Sequence, residues 1–152
     1  MRLFSFLLLF SLCAVGLAGA QPGQGSVSQQ IQGHERQAHE FLSQKKPELA
    51  AKEFAAVVAL DPNNTDAQAN LGVLLFFQKD YLQAEPHLRK AVEQQPELTK
   101  IRALLGMTER NLGQTDLARA DLQDVVGQLK EPGVRLEAGL ELIELYTATQ
   151  DL

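Results

Sequence analysis

The sequence predicts an all-α protein made of repeated antiparallel helix pairs, and three observations carry this. First, the chain repeats with a period of 34 residues: Pro62 and Pro96, Ala50, Ala84 and Ala118, and Leu71-Gly72 and Leu105-Gly106 all stand that far apart. A fixed period of this size is the mark of a stacked repeat architecture. Second, between these marks apolar residues recur at helical spacing, as in Leu71, Leu74, Leu75 and Leu88, Ala91, Val92. Third, no window alternates apolar and polar residues well enough to be a strand.

Composition narrows the class before any motif is read. The chain has 152 residues, room for one ordinary domain, with 45% hydrophobic and 22% charged residues as in a folded protein. The net charge is −5, which disfavours non-specific binding to nucleic acid or to anionic membranes. Aromatics make up 6% with no Trp, too few for a large base-stacking or sugar-stacking surface. A single cysteine, Cys13, allows neither an intrachain disulfide nor a cysteine-based zinc site.

Taken in order, residues 1–20 read as a secretory signal peptide. Met1-Arg2 is followed by 18 residues without a charge, dense in Leu and Phe at first and ending in Ala18-Gly19-Ala20. A positive start, an apolar core and a small-x-small ending predict cleavage after Ala20, because small side chains fit the peptidase. The chain from Gln21 on then has no cysteine, one positive charge fewer and a secreted or periplasmic destination, with no lasting membrane insertion. Residues 21–30 are rich in Gln, Gly and Ser and read as a flexible leader. Beyond them the pattern predicts helices near 29–43, 48–60, 65–78, 81–94, 99–112, 115–130 and 134–149. Leu60-Asp61-Pro62-Asn63-Asn64 marks a helix end and turn. Pro86 falls early in the fourth helix, where a missing N–H is tolerated.

The repeating marks resemble the tetratricopeptide repeat, a 34-residue helix–turn–helix with the pattern W-x2-L-G-x2-Y, A-x3-F and P. Residues 65–98 carry Leu71-Gly72, Leu75, Tyr81, Ala84, Leu88, Ala91 and Pro96 at the family positions. Residues 99–132 carry Leu105-Gly106, Gly113, Ala118 and Leu122, with Lys130 where the closing Pro belongs. Residues 31–64 keep Ala38, Phe41, Ala50, Phe54 and Pro62 but have Gln37 where Leu is usual. The resemblance implies an α-solenoid of three repeats plus the first helix of a fourth over 133–152. Small residues would let the paired helices approach, and stacked pairs would leave a concave inner wall.

That family binds peptides on the inner wall, mainly through the first helix of each repeat. Carried over by position, the candidates are Glu35, His39 and Leu42, then Ala69, Asn70, Val73, Phe76 and Phe77, then Lys100, Ala103, Met107, Arg110 and Asn111. Because Leu75 takes the core position beside them, at least one of Phe76 and Phe77 should face the groove or a neighbouring repeat. Some members grip a partner's C-terminal carboxylate with Lys, Asn and Arg. Asn70 and Lys100 match that clamp, but Glu35, His39 and Leu104 replace its other members, and an acidic side chain repels a carboxylate.

No catalytic constellation emerges, and neither a cofactor nor a metal is expected. His34-Glu35 with His39 does not make a zinc-protease helix motif, since the two His are five apart, about 140° around a helix. A solvated Glu35–His39 pair is the simpler expectation. Asn63-Asn64-Thr65 matches a glycosylation acceptor, but Asp-Pro-Asn-Asn is also a common inter-repeat turn. Val134 to Ala148 reads as a helix apolar over much of its circumference, where a solenoid's last helix should show a polar outer face. That predicts either a longer protein or an edge that docks a partner or a second copy. The expected function is an exported, non-enzymatic scaffold in the cell envelope that binds a protein or peptide. The alternative is the N-terminal repeat region of a larger exported enzyme or assembly factor.

Overall fold

A computed structural model describes residues 26–148, so the signal sequence predicted over 1–20 lies outside the described residues. Seven helices follow one another: α1 (Val27–Ser43), α2 (Pro47–Leu60), α3 (Thr65–Phe77), α4 (Tyr81–Gln94), α5 (Thr99–Asn111), α6 (Thr115–Val125) and α7 (Pro132–Ala148). No strand occurs among the described residues. None of these helices is long and apolar enough to cross a membrane.

The helices pair as the period demands. α1 packs on α2, α3 on α4 and α5 on α6, and each second helix also packs on the first helix of the next pair. In addition α3 touches α5, and α5 touches α7. The first helices α3, α5 and α7 therefore stack side by side into a wall, which α1 joins through the bond of Glu35 to Asn64 in the turn before α3. A single core runs through the stack, from Ala38, Ala50 and Phe54 through Leu71, Leu75 and Leu88 to Leu105, Leu122, Ala138 and Leu145.

The small residues sit at the helix crossings. A Cβ placed on Gly72 would lie 2.8 Å from Cγ of Leu88 and 3.0 Å from its backbone N. One placed on Gly106 would lie 2.8 Å from Cγ of Leu122. Leu88 and Leu122 thus fill the space that each glycine leaves, while Ala84 and Ala118, fully buried, sit one turn earlier on the same helices. The turn after each first helix repeats too. Among the described residues Lys45, Lys79 and Gly113 have positive φ, each 34 from the next, with φ of 57°, 61° and 74°. The following amide closes each helix end by reaching back: Lys46 to Phe41 O, Asp80 to Leu75 O and Gln114 to Glu109 O, at 2.8–3.0 Å. Only at Gly113 is that left-handed backbone free of a Cβ penalty.

Three expectations need correction. α1 starts at Val27, inside the stretch read as flexible leader over 21–30, because Ser26 and Gln29 form a reciprocal capping box that nucleates the first turn. α6 ends at Val125 rather than near 130. Gly127 is a poor helix residue and Pro132 disfavours helical backbone just before it, while Leu129 turns inward and is buried. Pro86 is the sixth residue of α4, past the free amides of the first turn. Its ring removes the hydrogen bond to the Leu82 carbonyl, on a stretch of the helix that faces water, where Leu82 is 78% exposed.

Candidate functional site

The wall of first helices is where the groove residues fall, and the structure divides them. Ala103 and Met107 (2% exposed) are core, sharing one cluster with Ala138 and Leu145 of α7. Met107 is therefore withdrawn as a groove contact, because its side chain is buried in the core. Arg110 reaches across the same junction and pairs with Glu141 and Glu144 of α7. Its charge is already met within the chain. Burial raises the Glu141 carboxyl above its usual range, and Arg110 pulls it back down.

The remaining candidates on α1, α3 and α5 differ in exposure. Phe77, the last residue of α3, is 71% exposed. Phe76 turns the other way, half-buried against the core, with its ring edge-on to Phe77 at 5.4 Å and to Tyr81 at 5.7 Å. Phe76 is thus the packing member of the pair, and Phe77 the free one. Ala69 and Val73 are half-buried on the same helix. Asn70 and Asn111 each donate an amide N–H to their own helix, to the carbonyls of Asp66 (2.8 Å) and Met107 (2.7 Å). Lys100 is exposed, and Leu42 is partly so.

On α1 the expected Glu35–His39 pair does not form. Glu35 instead accepts a hydrogen bond from Nδ2 of Asn64 at 3.2 Å, which ties α1 to the turn before α3. His39 lies edge-on to Phe54 at 5.8 Å. His34 pairs with Glu53 of α2 at 2.6 Å. Asn64 also caps α3 by accepting from the Ala67 amide, so the turn has a structural task independent of any glycan. Among the described residues no group of three or more His, Cys, Asp or Glu could hold a metal ion.

Sequence reasoning missed the polar layer behind the wall. Residues 19 apart meet across the first and second helix of each pair: His34 with Glu53, and Gln68 with His87 at 2.7 Å. In the third pair Arg102 attracts Asp121 and bonds Asp124 at 3.4 Å. Gln68 is fully served, its amide donating to the Pro62 carbonyl at 2.9 Å while its oxygen accepts from the His87 ring. Burial pushes the His87 imidazole below its ordinary value, which favours that neutral, singly protonated ring. The deepest member is Glu109, fully buried, which accepts from Arg89 of α4 at 2.8 Å. Its burial, aided by the Asp121 carboxylate and opposed by Arg89, lifts the carboxyl to about 7. The signal was present in the spacing: Glu109 stands three residues after Gly106, as Leu75 does after Gly72, at the aromatic position of the repeat.

Comparison with known proteins agrees with this architecture. The tetratricopeptide repeat family matches residues 35–99, and the helix pairs continue on either side of that stretch. The chain thus has the fold of a tetratricopeptide repeat solenoid. No curated protein matches it. Among solved structures, the first TPR of Spaghetti (RPAP3), bound to the HSP90 peptide SRMEEVD, is similar with a TM-score of 0.66 at 22% identity, over 81% of this chain and 95% of that one. The second TPR domain of human RPAP3, in complex with the HSP70 peptide SGPTIEEVD, gives 0.65 at 21% identity, over 80% and 98%. The TPR domain of P58(IPK) gives 0.69 at 21% identity, over 79% of this chain and 33% of that one.

Proposed function

We propose that this protein is an exported, non-enzymatic scaffold of the cell envelope that holds a segment of another protein along the wall formed by α1, α3 and α5. The observation that carries the reading is Phe77. A large ring left 71% exposed at the end of α3 has no core task, and it lies on the same helix as Val73 and Asn70, one and two turns before it. Such an aromatic beside backbone-bonding amides suits an extended peptide, with the ring as anchor and the amide oxygens as acceptors. Relatives in fold hold peptides ending in EEVD. Here Glu35 occupies the wall and Leu104 is buried where a basic residue would serve, so an acidic tail meets repulsion rather than a clamp.

Two measurements test this. A displayed library of random peptides should yield binders whose affinity falls about tenfold or more in Phe77→Ala, with the melting temperature unchanged because the ring is exposed. The peptide SRMEEVD should show no saturable binding by fluorescence anisotropy. Binders indifferent to Phe77→Ala and to Asn70→Ala would place recognition elsewhere, and tight binding of SRMEEVD would overturn the electrostatic argument. Export has its own check. The leader pattern of residues 1–20 supports cleavage, so mass analysis of protein recovered from outside the cytoplasm should find its first residue at Gln21. A mass that retains residues 1–20 would point to an anchored protein.

A further inference from the structure

We infer that a hollow between α2 and α4 is a binding site for a small, uncharged aromatic molecule with one N–H or O–H donor, of the indole or phenol class. The hollow is separate from the wall of first helices. Leu71 and Leu75 form its floor, and at about 100° per residue they lie on a different face of α3 from Val73 and Phe77. Ala51 and Ala55 of α2 make one side, and His87 of α4 makes the other. The space is about 340 Å³, within the range of small-molecule sites.

The next repeat shows what this hollow lacks. One period of 34 residues on, Ala51, Ala55, Leu75 and His87 become Glu85, Arg89, Glu109 and Asp121. There the planar guanidinium of Arg89 pairs with Glu85 at 2.5 Å and with the buried Glu109 at 2.8 Å, so the chain fills that place with its own side chain. Between α2 and α4 both alanines stop at a methyl group, and the space stays open. The same backbone frame thus accepts a planar group with N–H donors. The charge it accepts is different, because Leu75 replaces the Glu109 carboxylate on the floor and a neutral imidazole replaces that of Asp121. A cation gains no ion pair from those two positions and loses its water, whereas an apolar ring gains contact with Leu71, Leu75 and the two alanines.

His87 supplies the polar contact. Gln68 donates its amide N–H to the Pro62 carbonyl at 2.9 Å, so its Oε1 faces the His87 ring and accepts from Nδ1 at 2.7 Å. Burial favours the neutral ring, whose one proton is then on Nδ1. Nε2 is therefore a bare acceptor, with no partner in the chain among the described residues. One N–H or O–H of a ligand satisfies it. The rim calls for no net charge: Glu48 and Lys52 stand one turn apart on α2 and offset each other, and both carboxylate oxygens of Asp80 are taken by Gln83.

Titration of the full chain with indole, followed through its amide NMR signals, tests this. Saturable shifts should centre on Ala51, Ala55, Leu75 and His87. Ala55→Phe sets a ring of the chain's own in the hollow and should abolish them, with the melting temperature held because Ala55 is exposed. Benzothiophene keeps the shape of indole without its N–H, and it should bind about tenfold more weakly. Shifts that never saturate, shifts centred on Phe77, or binding that survives Ala55→Phe would overturn the inference. Equal affinity for indole and benzothiophene would overturn the role of Nε2 as acceptor. Shifts at the hollow with N-acetyltryptophanamide and none with indole would overturn the free ligand and assign the hollow to a partner's side chain.

Discussion

Gly72→Ala is expected to destabilise the protein by about 1–3 kcal/mol, the cost of forcing extra volume into a filled contact. A methyl group there lands 2.8 Å from Cγ and Cδ2 of Leu88, and neither that branch point nor the backbone N at 3.0 Å can move aside cheaply. On an exposed helix the same change would stabilise, since alanine is the better helix former. The sign therefore reports the crossing itself. Leu88→Ala, at a fully buried position, is expected to cost about 2–5 kcal/mol through the cavity it leaves. Combined, the two changes should cost less than their sum, because the new methyl occupies part of the space that Leu88 vacates. Urea unfolding of the two single variants and the double variant measures the difference. Strict additivity would show that Gly72 and Leu88 do not share one contact, and the period would then have been assigned in the wrong phase.

Raising the pH should weaken the fold at Glu109, and Glu109→Gln should remove that weakness. The carboxyl is fully buried and faces Asp121 of α6, Arg89 and Glu85 of α4, with Arg102 beyond Asp121. Burial first, and the Asp121 carboxylate second, raise it to about 7 from the usual 4.5, with Arg89 opposing. A raised carboxyl means that the folded chain holds the proton more tightly than the unfolded one. Its contribution is therefore fully present below about pH 4.5 and is lost as pH climbs through 7, by roughly 3 kcal/mol at most. His87 shifts the other way, since burial favours its neutral ring, so only the difference between variant and parent isolates Glu109.

In Glu109→Gln the amide still accepts from Arg89 and can donate to Asp121, and Arg89 keeps its 2.5 Å pair with Glu85. The variant should match the parent near pH 4.5 and exceed it by about 1–3 kcal/mol at pH 8. Thermal unfolding at the two values decides. A variant less stable than the parent at pH 8 would mean that the ionised Glu109–Arg89 pair outweighs the burial of its charge.

How much of this was legible follows from the range over which each signal acts. The repeat period, the seven helices and the small residues at the crossings are local or strictly periodic facts, and residues 34 apart report them without any knowledge of packing. Leu71, Gly72 and Leu88 could be placed at one crossing because the same triad returns as Leu105, Gly106 and Leu122. The inner wall was legible to the same extent, as a set of positions on the first helices. Tertiary structure alone decided which of those positions stay free. Met107 and Arg110 read as groove residues by their place in the repeat, yet Met107 is buried in the core, and α7 lies against α5 and meets Arg110 with Glu141 and Glu144. Glu109 stands at a core position of the repeat although its chemistry is that of a surface residue, and the convergence of α4, α5 and α6 supplies the Arg89 and Asp121 that meet it there. His34 and Glu35 found partners in α2 and the α2–α3 turn rather than along their own helix, since a neighbour across a packed interface is as near as one a turn away. Periodicity determines which face of a helix is apolar or polar. What covers that face is set by contacts between elements distant in sequence, and no local spacing encodes them.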